Sequence, residues 1–202
     1  MSKGVESLDE GEPVSFSDLV KARVEDADGR HVGHLEDMAM EPDLASPYID
    51  GLGVHLLWTD RVADVLLVKR VEDLAVLLPW SQVESITEEL VTLRSVHPDF
   101  PVDSAAGKWL VRRDILNKQM VDPEGNRIQR VDDVLLTSEG GRLKVAGLEV
   151  SKGLLLASSA LRRYVAEIRR KHSSKQDSEV IPWDAVQRID EDAIVLAEDV
   201  PR

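Results

Sequence analysis

Apolar and polar positions alternate through much of this chain in runs too short for helices. Val54, Leu56 and Trp58 alternate with His55 and Leu57, the two-residue period of a strand. Residues 65–68 and 74–78 are short apolar runs separated by a charged turn, and predict two further strands. Asp26-Ala27-Asp28-Gly29 and Asp122-Pro123-Glu124-Gly125 predict hairpin turns. Asp starts such a turn by bonding its own backbone, and Gly accepts positive φ at its end. Val32 and Leu35 are apolar yet three apart, as are Ile128 and Val131; a β-bulge at the same place in both segments would account for this. Val83 and Ile86, like Val186 and Ile189, have the spacing of a single helical turn. An open sheet of several short strands would expose its edges, so the expectation is closure into a small barrel.

The pattern occurs twice. Residues 24–38 lie over 120–134 at an offset of 96, with the acid, the turn glycine and the apolar positions coinciding. Leu78-Pro79-Trp80-Ser81-Gln82-Val83 then matches Ile181-Pro182-Trp183-Asp184-Ala185-Val186 at an offset of 103. The second copy therefore carries seven more residues between these blocks. Leu161, Tyr164, Val165 and Ile168 fall at helical spacing opposite Arg162, Arg163, Arg169 and Arg170, which predicts an inserted amphipathic helix near 158–172. The expected organisation is all-β: a flexible tail over 1–15, a first barrel over 16–95, a linker over 96–107 rich in Pro and small residues, and a second barrel over 108–200 with the helical insertion.

Composition narrows the class. The chain has 202 residues, 43% of them hydrophobic and 31% charged, the profile of a folded chain. It has no cysteine, so disulfides, thiolate metal sites and a cysteine nucleophile are excluded. The N-terminal residues lack the apolar core of a signal peptide, and no apolar run is long enough to span a bilayer; the expected location is the cytoplasm. The net charge is −13, spread as −9 over 17–98 and 0 over 108–200. An acidic first half argues against wrapping duplex DNA and suits a basic partner.

The D-x-[DE]-G turn, the [VI]-x-x-[VL]-[DE]-D segment after it and the [LI]-P-W-x-x-V-x-x-I block, each present twice in the same order, resemble the PRC-barrel family. The resemblance covers about 170 of the 202 residues. It implies a small barrel that works as a binding or packing module without catalytic residues. Residues 110–122 and 130–134 are also similar to PRC-barrels found beside MgtE-type magnesium-transporter domains. Two alternative roles follow from family members: a regulatory component linked to magnesium transport, and an RNA- or ribosome-associated maturation factor.

Motifs for other chemistry fail on spacing. With Gly29 at the sixth position of a calcium loop, Val24 and Leu35 occupy the first and twelfth, where carboxylates are required; Met120 and Val131 do so in the second copy. Glu36-Asp37 and Asp132-Asp133 are adjacent strand residues pointing to opposite faces, so neither pair chelates alone. They read as a solvated acid beside one that bonds a neighbouring turn. His31 and His34 would meet only if the bulge turns both rings to one face, and their equivalents are Arg127 and Arg130. There is no G-x-S-x-G, and Val102 replaces the first glycine of a P-loop ahead of Gly107-Lys108.

The sequence thus points to a non-enzymatic adaptor or regulatory module acting through protein contacts, with no cofactor and no bound metal expected. A homodimer is an open possibility. Arg162, Arg163, Arg169, Arg170 and Lys171 are the candidate partner-binding residues, for an acidic protein, RNA or an anionic membrane surface. Asp26, Gly29, Asp122 and Gly125 are turn residues. Trp80 and Trp183, at equivalent positions, are read as core.

Overall fold

The computed structural model describes residues 8–57, 75–96, 98, 106–151 and 178–197. Those residues are mostly β-strand, with a few short helical turns. The first half runs β1 (Pro13–Ser15), a helical turn α1 (Phe16–Leu19), β2 (Arg23–Glu25), β3 (His31–Met40), β4 (Ile49–Leu56), β5 (Ala75–Pro79), β6 (Val83–Ile86) and β7 (Leu90–Leu93). The second runs β8 (Trp109–Leu110), a helical turn Val111–Ile115, β9 (Gln119–Val121), β10 (Arg127–Arg130), β11 (Asp133–Glu139), β12 (Arg142–Ser151), β13 (Ser178–Pro182), β14 (Val186–Ile189) and β15 (Ala193–Leu196). The predicted strand over 65–68 and the predicted helix near 158–172 lie outside the described residues.

Sheet order repeats as the sequence does. In the first copy it is β5-β4-β3-β2-β7-β6. In the second, β13-β12-β11 and β10-β9-β15-β14 form two ladders, and β10 with β11 together occupy the place of β3. A single 3-10 turn, Trp80–Gln82 or Trp183–Ala185, joins the two end strands of each order. Among the described residues no ladder joins β5 to β6, so the hydrogen-bonded path stays open there. The helical turn expected over 83–86 begins instead at Trp80, and Val83–Ile86 is strand. A register shift between Val83 and Ser85 buries both Val83 and Ile86, and so gives a bulged strand the three-residue spacing of a helix.

Local rules explain the turns. Asp26 Oδ1 accepts the N–H groups of Asp28 and Arg30, both at 2.9 Å, and Gly29 takes φ +76°. Asp122 Oδ1 accepts Asn126 N–H at 2.7 Å, with Gly125 at φ +85°. The ladder shifts register beside each turn, where Glu25 faces His31 but Val24 faces Gly33, and between Arg127 and Arg130, near where the bulge was expected.

The opening strands are exchanged. β1 pairs with β11 of the second copy, Val14 opposite Leu136 and Ser15 opposite Leu135. β8 pairs with β3 of the first copy, Trp109 opposite Met40 and Leu110 opposite Ala39. At an offset of 95 for the opening strands and 96 for β3 and β11, these are the same pairings. The single-residue difference lies in the helical turns: Val20 N–H closes on Phe16 O at 3.0 Å, whereas Leu116 N–H closes on Val111 O at 2.9 Å, one residue further back. Lys21 and Asn117 then both take positive φ, at 80° and 61°. The flexible tail expected over 1–15 is thus corrected at its end. Residues 13–15 are strand, and Val14 and Ser15 are buried because they complete the other copy's sheet. One apolar cluster runs through both copies, from Phe16, Leu35, Leu52 and Leu78 to Val111, Met120, Leu148 and Ile194.

Candidate functional site at the seam between the copies

Each copy fastens the other's helical turn. Asp37 Oδ1 accepts N–H from Arg112 at 2.8 Å and from Met38 at 2.7 Å. Its counterpart Asp133 accepts N–H from Ser17 at 3.2 Å and from Val134 at 2.8 Å. The acid pairs of the sequence therefore each supply one carboxylate to a neighbouring turn, and that turn belongs to the opposite copy. Asp37 is buried, and burial pushes its carboxyl above the usual range against the pull of the Arg112 and Met38 amides. Because its folded value is raised, Asp37 stabilises the fold most below the normal carboxylate range and less as pH rises through the raised value. Asp37→Ala strips the acceptor from the buried Met38 amide and the part-buried Arg112 amide and should cost about 2 kcal/mol in urea unfolding. Asp37→Asn keeps an acceptor, should cost less, and should flatten this part of the stability–pH profile.

The two tryptophans act in the same reciprocal way. Trp80 Nε1 donates to Gly141 O at 3.3 Å, and Trp183 Nε1 donates to Leu44 O at 3.1 Å. Trp183 is buried and Trp80 half-buried. Trp183 stands in the core as expected, whereas Trp80, read as core from its equivalent position, packs half-buried against it; each reaches across the seam.

Charged groups complete the seam. Lys108 Nζ donates to Glu41 Oε1 at 2.7 Å and to Asp50 Oδ2. Burial pushes the Asp50 carboxyl up, while contact with Lys108 holds Glu41 down. Burial works against the charge on Lys108, but the two carboxylates outweigh it and its pKa is raised. Tyr48 Oη donates to Glu139 Oε2 at 2.5 Å, with Arg142 stacked 4.7 Å from the Tyr48 ring centre. Beside them lies an open cleft of about 530 Å³, lined at the seam by Glu10, Pro47, Glu139, Lys144, Trp183 and Asp184 among others. Glu10 is tied to Gly140 N–H at 3.0 Å and Glu139 to Tyr48, whereas Asp184 is exposed.

The bulge does bring His31 and His34 to one face. Their rings meet edge to face at 4.6 Å. His31 Nε2 lies 3.0 Å from Gly33 O, and His34 Nδ1 lies 3.3 Å from Lys21 O. A carbonyl only accepts, so these two nitrogens carry the protons. Arg130 Nη1 donates to Asn117 O at 3.0 Å and does in the second copy what His34 does in the first. Among the described residues no three His, Asp or Glu side chains converge as a metal-binding group. No described helix is long and apolar enough to cross a membrane.

Asp26, Gly29, Asp122 and Gly125 sit in the turns predicted for them. Arg162, Arg163, Arg169, Arg170 and Lys171 lie outside the described residues. Sequence reasoning missed the cross-copy roles of Asp37, Asp133, Lys108 and Tyr48; the recurrence of an acid pair at equivalent positions was the signal for the first two. In comparisons with known proteins, no family model matches the chain and no curated protein matches it.

Proposed function

We propose that this chain is a non-enzymatic binding module of tandem PRC-barrel-like units that acts through protein–protein contacts. The strand order supports the barrel reading: it recurs in both copies, and one Pro-Trp turn brings the two end strands of each order together. The observation that carries the binding reading is how the polar side chains are used. Asp26, Asp37, Asp122, Asp133, Glu10, Trp80 and Trp183 are all engaged in holding turns or the seam, and the cleft beside the exposed Asp184 is a polar concavity among the described residues that a partner can enter.

The partner we infer is a basic protein segment. Glu10, Glu139 and Asp184 face the cleft with a single lysine, Lys144, among its lining residues, in a chain of net charge −13. Complementary charge governs the capture rate and the choice of partner at such a surface. Asp184→Lys reverses a charge without removing a seam contact. Affinity capture from native lysate with the full chain should retain a stoichiometric partner that salt releases, and Asp184→Lys should weaken retention by about tenfold. Retention indifferent to both salt and Asp184→Lys would move the interface away from the cleft.

A further inference from the structure

We propose that this chain exchanges halves with a second copy of itself, each first half closing on the other chain's second half. A half by itself is incomplete in matched ways. β3 takes its outer pairing from β8, and β11 takes its from β1. The turn after β8 is held by Asp37, and the turn after β1 by Asp133. Trp80 needs the carbonyl of Gly141, and Trp183 needs that of Leu44. Phe16, Leu19, Val111 and Ile115, carried on the exchanged segments, are all buried.

None of these contacts involves residues 96–107, the covalent link between the halves. A second chain therefore supplies every one of them unchanged, and two complete units result. Such an exchange reuses the native interface and differs from the closed monomer mainly in its connection and its dependence on concentration. A short link holds the halves at an effective concentration on the order of 1 mM. Closure within one chain wins at micromolar concentration, and exchange wins near millimolar concentration or when the link is shortened. Release of the exchanged segments exposes buried apolar side chains, so a dimer once formed persists on dilution.

The test uses two full-length variants, one with a protease site in place of residues 99–104 and one with those residues deleted. Each is unfolded, refolded at about 1 mM, diluted and weighed by light scattering. The expected species has twice the 22.5 kDa of the chain and keeps that mass on dilution. Cutting the link in the first variant should halve the particle mass while both fragments still elute together. A dimer that keeps its full mass after cutting is joined face to face and overturns the proposal. Refolding of both variants to monomers alone overturns it as well.

Discussion

Trp183→Ala should lower the unfolding free energy by about 3–5 kcal/mol, the range for removing a large buried aromatic. The indole is 3% exposed, and its Nε1 donates to Leu44 O in the other copy, so the substitution opens a cavity and leaves the Leu44 carbonyl without its donor. Trp183→Phe separates the two effects: it keeps most of the packing and should lose about 1–2 kcal/mol through the missing hydrogen bond and the smaller ring. Trp80→Ala should cost less than Trp183→Ala, because Trp80 is half-buried. Urea unfolding followed by both circular dichroism and fluorescence checks this. With one core running through both copies, Trp183→Ala should shift a single transition. Two separated transitions, one per copy, would show that the copies fold independently and that the seam contributes little.

The second large effect is expected at glycines where strands nearly touch. A Cβ at Gly147 would stand 2.6 Å from Ile181 O and 2.8 Å from Val180 Cγ1, and one at Gly33 would stand 2.3 Å from His55 O. The carbonyls belong to ladder strands and cannot turn aside as a side chain would. Gly147→Ala and Gly33→Ala should each cost about 3 kcal/mol, at the upper end for overpacking. Gly11→Ala is the control: its φ is +78° with nothing within 4 Å, so only backbone strain of about 1 kcal/mol applies. Thermal unfolding of the three variants ranks them, and equal shifts would mean that the strands yield more easily than the ladders imply.

Much of this architecture could be read from residue patterns. The Asp-x-x-Gly turns declared themselves because their chemistry is local: one carboxylate, two amides and one residue free to take positive φ. The bulges showed as apolar residues three apart on either side of Gly33 and at the matching place in the second copy. The repeat showed that a helical turn belongs to each Pro-Trp block, but the spacing of Val83 and Ile86 placed it three residues too late, because a bulged strand has the same spacing. The strand exchange was hidden for a physical reason. Pro13–Ser15 and Trp109–Leu110 share little side-chain pattern, and the extra residue in the turn Val111–Ile115 shifts their alignment by one. Their equivalence is carried by backbone pairing, which any side chain can provide. That one acid of each pair bonds a turn was legible, but not that Asp37 and Asp133 reach turns of the opposite copy, since nothing local in the sequence marks a partner more than 70 residues away. The candidate site fared similarly: the turn residues and tryptophans were legible, whereas the cleft depends on a seam formed by distant segments.

The exchanged strands also set a timetable for biosynthesis. Val14 leaves the ribosome early, but its partner Leu136 is more than a hundred residues behind it. At about 5–20 residues per second, the N-terminal strand waits roughly 6–24 s for its place. β3 has less time to wait, because β8 follows it sooner. During that interval the first copy presents an unfilled edge and an uncapped turn while still tethered to the translating ribosome. Neighbouring nascent chains on one message would hold such edges close together, and that proximity is where a chain is most exposed to taking its missing strand from the wrong copy.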